Sequence, residues 1–193
     1  MSSSPVQLLD ASRNAVDAEI FDQITEADLV EWEQHWRGYR VSTTPQAAAA
    51  EAEHSHWNWR AKEVRRHGLL ANKGFALRCG GTLEGLMFTK NTLTCRLAEQ
   101  AGKPLIYIEY LESAPWNRLA VPVRYRGVGS ALLRAAMELS LADGFHGRVG
   151  LHSLPGSIAW YRQLGLSDLG GDSACQDLHY FEMTPAQTQR FLA

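Results

Sequence analysis

Arg124-Tyr125-Arg126-Gly127-Val128-Gly129-Ser130 lies between an apolar, strand-like segment and a strongly periodic helix. Two glycines separated by one residue let backbone N–H groups crowd around a small anion without Cβ interference. The helix that follows points the positive end of its dipole at that anion. Arg124 and Arg126 add mobile positive charge. The stretch therefore reads as a phosphate cradle, and it requires a phosphorylated ligand. A Walker A loop would need Gly-Lys-Ser/Thr, which is absent. A dinucleotide fingerprint would need a third glycine where Leu132 stands.

The rest of the chain must supply a core for this loop. With 193 residues, 45% of them hydrophobic, there is enough for one domain with a modest extension. A net charge of −2 and a pI near 6.4 give no global basic field, which disfavours nucleic acid as a partner. Cys79, Cys95 and Cys175 are odd in number and far apart, so they form neither a disulfide framework nor a zinc pattern. No metal site is expected. His54 and His56, two apart on a predicted helix, diverge. The start Met-Ser-Ser-Ser-Pro lacks a basic and apolar leader, and no apolar stretch spans a bilayer. The expectation is a cytoplasmic protein that makes no membrane contact.

Residues 1–5 are expected to fray, and Val6–Asp10 and Ala18–Ile24 read as short strands. Thr25-Glu26-Ala27-Asp28 is a capping box that predicts a helix over 26–38. Thr44-Pro45 starts a second helical run, Gln46–Leu70, in which Trp57 and Trp59 diverge. One of them suits the core and the other a cleft wall. Gly74–Cys79 and Thr82–Thr89 around Gly80-Gly81 predict a hairpin, and Leu93–Ala98 another strand. Leu105–Ser113, nearly all apolar or aromatic, reads as a central strand buried on both faces and interrupted by Glu109. After the cradle come a helix over 127–142 and a strand over Gly147–Leu154. A short helix follows, from Pro155-Gly156-Ser157 to Leu164. Strands Leu166–Leu169 and Leu178–Met183, separated by a Gly170-Gly171-Asp172 loop, precede a terminal helix capped by Thr184-Pro185. This alternation implies a single α/β or α+β domain.

Arg-x-x-Gly-x-Gly opening a helix resembles the pyrophosphate loop of the GNAT (GCN5-related) N-acetyltransferases. A second motif strengthens the likeness. Ser157-Ile158-Ala159-Trp160-Tyr161-Arg162-Gln163-Leu164-Gly165-Leu166 is similar to that family's Ala-x-x-x-Tyr-x-x-x-Gly-Phe, with Ser157 for the alanine and Leu166 for the phenylalanine. The two motifs fall in the family's order, and the resemblance covers about Ala18 to Met183. It implies a GNAT-like domain over 18–193, with a mixed, mostly antiparallel sheet flanked by helices. Residues 1–17 would be an N-terminal extension. The segment Arg118–Val123 departs from the family as an insertion. Leu111-Glu112-Ser113-Ala114-Pro115 fits the family's Leu-x-Val-x-Pro register, and Leu119-Ala120-Val121-Pro122 is the other register.

The resemblance implies acetyl-CoA as co-substrate. The pyrophosphate would sit on Arg124, Tyr125, Arg126, Gly127, Val128, Gly129 and Ser130. Pantetheine would pair with backbone at Leu111 and Ser113, and Ser157 would join the cofactor-binding set. A backbone N–H near the thioester would stabilise the developing oxyanion, and a neutral primary amine would attack directly. Tyr161 falls where the family often places a general acid near the CoA sulfur, with a core aromatic as the alternative. Glu109 is the first choice as base, because a carboxylate in an apolar strand has a raised pKa. Glu112, of opposite side-chain parity, is the second, and His152 the third. The acceptor is expected to be a small-molecule amine; a protein or aminoacyl-tRNA amine, or a non-catalytic acyl-CoA sensor, are the other readings. A homodimer is compatible with the edge strands and tryptophans.

Overall fold

The computed structural model describes residues 2–37, 39, 57–66, 68–118 and 122–193. The Thr44-Pro45 start, His54, His56, residues 46–56 and 67 of the Gln46–Leu70 run and the Leu119-Ala120-Val121 register lie outside them. The fold is mixed α/β, with nine strands in mostly antiparallel pairings and five α-helices among the described residues. The chain divides into two compact units, 1–87 with 111–132, and 88–110 with 133–193. Three elements are shared between the units: β4 (Thr82–Lys90), β5 (Ile106–Ser113) and the helix α3 (Val128–Ala142).

In the first unit the strand order is β6-β1-β2-β3-β4. β1 (Ser3–Asp10) and β2 (Ala15–Phe21) form an antiparallel hairpin, with Ser3 opposite Phe21 and Leu9 opposite Ala15. Ser3–Pro5 are therefore paired strand, not a frayed end. Ser2 reinforces this end, its N and Oγ donating to the Asp22 carboxylate at 2.7 Å each. β3 (Asn72–Cys79) continues the sheet beside β2. β6 is only Tyr125–Arg126, laid against Asp10 and Leu9 of β1.

The capping box forms as read. Thr25 Oγ1 accepts from Asp28 N, and the Asp28 carboxylate accepts from Thr25 N at 2.8 Å. The helix it starts differs from the predicted 26–38. α1 (Glu26–Glu31) passes into a π-helical turn, Trp32–Trp36, closed by Arg37 N donating to Trp32 O at 3.2 Å. The wider turn buries both Trp32 and Trp36. It also lets the ring of Trp36 meet that of Trp116 edge-on at 6.2 Å. Of the second helical run, α2 spans Trp59–Arg66.

β4 is the strand buried on both faces: every residue from Leu83 to Thr89 is buried. β5, expected to fill that place, alternates instead, with Ile106, Ile108 and Glu112 buried and Tyr107 and Glu109 half-buried. Glycine permits one close approach. A Cβ on Gly85 of β4 would lie 2.8 Å from Val128 Cγ1 and 2.9 Å from Leu132 Cδ1, so α3 packs directly on backbone there.

In the second unit the order is β5-β7-β9-β8, with β7 (Val149–Ser153), β8 (Ser167–Asp172) and β9 (Leu178–Met183). β5 and β7 run parallel, as expected of strands joined through a helix; β9 is antiparallel to both its neighbours. Two expectations fail here. Leu93–Ala98 is not a strand, because its amides are taken elsewhere. Arg96 N and Leu97 N both donate to the fully buried Glu182 carboxylate, which also accepts from Gln100 Nε2 at 2.9 Å. Only an isolated Thr94–Pro104 bridge remains. Gly170-Gly171-Asp172 is not a loop but the end of β8, carried past a register shift between Asp168 and Gly171. The helices α4 (Ile158–Gln163) and α5 (Pro185–Leu192) complete the unit. A Thr184–Gln187 capping box starts α5.

Candidate active site

The cradle lies in the first unit. Gly127 has φ +94°, a left-handed backbone that a side chain would strain. Its carbonyl accepts the first helical hydrogen bond, from Ala131 N at 2.8 Å. The amides of Val128, Gly129 and Ser130 precede that bond, so they have no acceptor within α3. Val128 is buried, while Gly129 and Ser130 are half-exposed and Gly127, Arg124 and Arg126 exposed. Tyr125 and Arg126 are fixed by their pairing to β1. First-turn amides with no acceptor in the helix, a left-handed glycine and two exposed guanidiniums suit a diphosphate.

The approach to the cradle is organised from below. Glu84 on β4 is fully buried. Its Oε2 accepts from Trp116 Nε1 at 2.6 Å and Asn117 Nδ2 at 2.7 Å, and its backbone carbonyl accepts from Ala114 N at 2.9 Å. Arg124 Nη1 lies 3.4 Å from Oε1. Asn117 Oδ1 in turn accepts from Tyr125 N at 2.9 Å. Burial pushes the Glu84 carboxyl above its ordinary range against the pull of these donors. Residues 114–118 contain a single 3-10 turn, Pro115–Asn117.

Of the residues named from sequence, Leu111 and Ser113 are half-buried at the end of β5, in the first unit. Glu112, between them, is buried. It accepts from Trp59 Nε1 at 2.5 Å and pairs with Arg118 Nη2 at 3.0 Å. Burial raises its carboxyl, opposed by Arg118 and Trp59.

Glu109, Tyr161, Ser157 and His152 belong to the second unit. Glu109 is half-buried, with Lys90 Nζ at 3.8 Å. Ser157 is half-buried at the start of α4. Tyr161 is buried, its ring 5.6 Å from that of Phe181. Burial pushes its hydroxyl far above the usual phenol range, so it stays protonated at neutral pH.

His152 is part of a hydrogen-bonded chain that the sequence did not disclose. Tyr107 Oη lies 2.6 Å from His152 Nδ1, and Nε2 lies 2.9 Å from Asp172 Oδ2. An ionised Asp172 only accepts, so His152 donates to it from Nε2, and a neutral ring accepts a hydrogen bond from the Tyr107 hydroxyl at Nδ1. Arg96, His152 and the Ala174 N–H hold the Asp172 carboxyl well below the usual range. Tyr107 and Asp172 carry no motif; only the registers that set β5 beside β7, and β9 between β7 and β8, bring these three elements together. His152, Asp172 and Cys175 also place their donor atoms within 4.8 Å of one another, among the described residues the one such cluster. Arg96 Nη1, 2.5 Å from Asp172 Oδ2, opposes a cation there.

This mixed sheet with a left-handed glycine opening α3 defines the class of fold: it is that of the GNAT acetyltransferases. Among solved structures, the PaiA N-acetyltransferase of Thermoplasma acidophilum in complex with coenzyme A superposes with a TM-score of 0.54 at 16% identity, covering 86% of this chain and 98% of that one. A mutant AtaT toxin, bound to the C-terminus of the antitoxin AtaR and acetyl-CoA, gives 0.57 at 16%, covering 91% and 98%. FeeM, an N-acyl amino acid synthase from uncultured soil microbes, gives 0.59 at 10%, covering 90% and 93%. No protein-family model matches the chain, and no curated protein sequence does.

Proposed function

We propose that the chain is an acyl-CoA-dependent N-acetyltransferase that uses acetyl-CoA to acetylate a primary amine, with a small-molecule acceptor. The observation that carries this reading is the cradle. Left-handed Gly127 opens α3, and exposed Arg124 and Arg126 flank it. The fold is one in which solved neighbours are described with coenzyme A or acetyl-CoA.

When bound, acetyl-CoA supplies an acetyl thioester and a thiolate leaving group. The amides of Val128, Gly129 and Ser130, with Arg124 and Arg126, bind the diphosphate charge. Leu111 and Ser113 offer backbone groups to the pantetheine amides. Tyr161 holds a proton at its hydroxyl and delivers it to the departing sulfur; its burial keeps that proton in place at neutral pH. Glu109 takes the proton lost by the amine. Glu112, closed by Trp59 and Arg118, is the weaker choice of base and serves as an anchor.

The test is calorimetric titration of acetyl-CoA, with ATP and NAD as controls, into the wild type and Gly129→Trp. Binding of acetyl-CoA alone, abolished by the tryptophan, is expected. A folded wild type that ignores acetyl-CoA would sink the reading. Binding without turnover on any amine would leave an acyl-CoA sensor in its place.

A further inference from the structure

Glu84-Gly85 supports the cradle from both faces of β4. On one face, Gly85 lets Val128 and Leu132 of α3 press onto the backbone, where a Cβ would meet them at 2.8 and 2.9 Å. On the other, the Glu84 carboxylate gathers the segment that delivers the chain to the loop. Its Oε2 is saturated by Trp116 Nε1 and Asn117 Nδ2. Its Oε1 has no hydrogen bond and faces Arg124 Nη1 at 3.4 Å.

Arg124 is otherwise nearly half exposed, at 46% of its side chain. A guanidinium carries five N–H donors, so one edge can lean on a buried carboxylate while the other reaches an anion. The loop backbone is held by the same anchor. Arg124 N donates to Trp116 O at 3.2 Å, and Tyr125 N to Asn117 Oδ1 at 2.9 Å. A fully buried carboxylate is costly unless it is put to use. Among the described residues, Arg124 is the cation that pairs with Glu84.

We infer that Glu84 is a positioning residue for cofactor binding: it holds Arg124, Trp116 and Asn117 in the arrangement that presents a cation to the diphosphate. The inference rests on the acetyl-CoA reading above. It predicts that Glu84 acts through Arg124, so that the two residues are energetically coupled.

The experiment is a double-mutant cycle read by calorimetric titration of acetyl-CoA, on wild type, Glu84→Gln, Arg124→Ala and the double variant. Glu84→Gln keeps the shape and removes the charge. Each single variant is expected to bind about tenfold more weakly, the size of one charge-assisted contact. The double variant should be no weaker than Arg124→Ala alone, a coupling that a merely structural role would not produce. Wild-type affinity in Glu84→Gln overturns the inference. So does an equal loss from Glu84→Gln when Arg124 is already alanine. If Glu84→Gln does not fold, Asn117→Ala cuts the same support from a half-buried position. It should weaken acetyl-CoA several-fold, and unchanged affinity again overturns the inference. A wild type that does not bind acetyl-CoA removes the cofactor reading itself, an outcome distinct from either result in the variants.

Discussion

Glu84 and Glu112 in the first unit, and Asp168 and Asp172 in the second, are all carboxylates facing an arginine, yet their titration moves in opposite directions. For the two glutamates burial outweighs every partner, and the carboxyl is pushed up. For the two aspartates the partners win. Burial at Asp168 is outweighed by the Gly170 N–H, His179 and Arg162; Asp172 has Arg96, His152 and the Ala174 N–H. An ion pair therefore has no fixed sign of effect on its carboxyl. What decides is how deeply the carboxylate is buried against the donors that reach it. The glutamates are held by indole and amide donors around a buried oxygen, and the aspartates by backbone turns close to solvent.

The contrast can be broken most forcefully at Trp59. Trp59→Ala removes a fully buried ring and strips Glu112 of its indole donor, and should cost about 3–5 kcal/mol in denaturant unfolding. A loss under about 1 kcal/mol would mean that the glutamate side is not sealed.

The opposite signs predict opposite pH slopes. Glu112 has a folded-state pKa above its ordinary 4.5, so its contribution is complete below that value and is lost as pH rises through the folded pKa. Asp172 has one below its ordinary 3.8, so its contribution is present above that value and is lost as pH falls through the folded pKa. The stability difference between wild type and Glu112→Gln should therefore shrink as pH rises above 4.5. The difference between wild type and Asp172→Asn should shrink as pH falls below 3.8. For Glu112 the slope is bounded at about 1.4 kcal/mol per pH unit for one proton. Matching slopes in the two series would erase the contrast.

Tyr107→Phe is a smaller change. It deprives His152 Nδ1 of its partner and should cost about 1 kcal/mol while leaving the fold intact. The smallest effect belongs to Arg162→Ala, because Arg162 is 57% exposed where it meets Asp168. A loss of about 0.2–1 kcal/mol that fades in high salt is expected. A salt-insensitive loss above that range would show the aspartate side to be drier than its exposure says.

The same division governs how much could be read from the sequence. The glycine turn that opens α3, the capping boxes and the order of elements were legible because each is local: a glycine spacing, a Thr-x-x-Asp, a run of apolar residues at helical period. Glu84 was not, since one glutamate in Thr-Leu-Glu-Gly-Leu reads as the polar half of a strand alternation, and only tertiary burial gives it a role. Leu93–Ala98 has strand composition, but a carboxylate from residue 182 takes its amides, and no local pattern announces that. The Tyr107–His152–Asp172 chain depends on register between elements distant in sequence. The π-helical turn hides inside an apolar period that a regular helix would satisfy as well.

That turn has a consequence for insertions and deletions. A π-helical turn is an α-helix carrying one residue more than its period allows. Each residue of an α-helix advances the side chains by about 100°. Losing a single residue between Trp32 and Trp36 would let the helix relax to its ordinary pitch with its phase nearly kept, whereas losing one from α1 would swing Trp36 off the edge of Trp116. Trp116 holds Glu84, and Glu84 faces Arg124. One codon removed from α1, some ninety positions upstream of the cradle, would thus be read there as a misplaced cation.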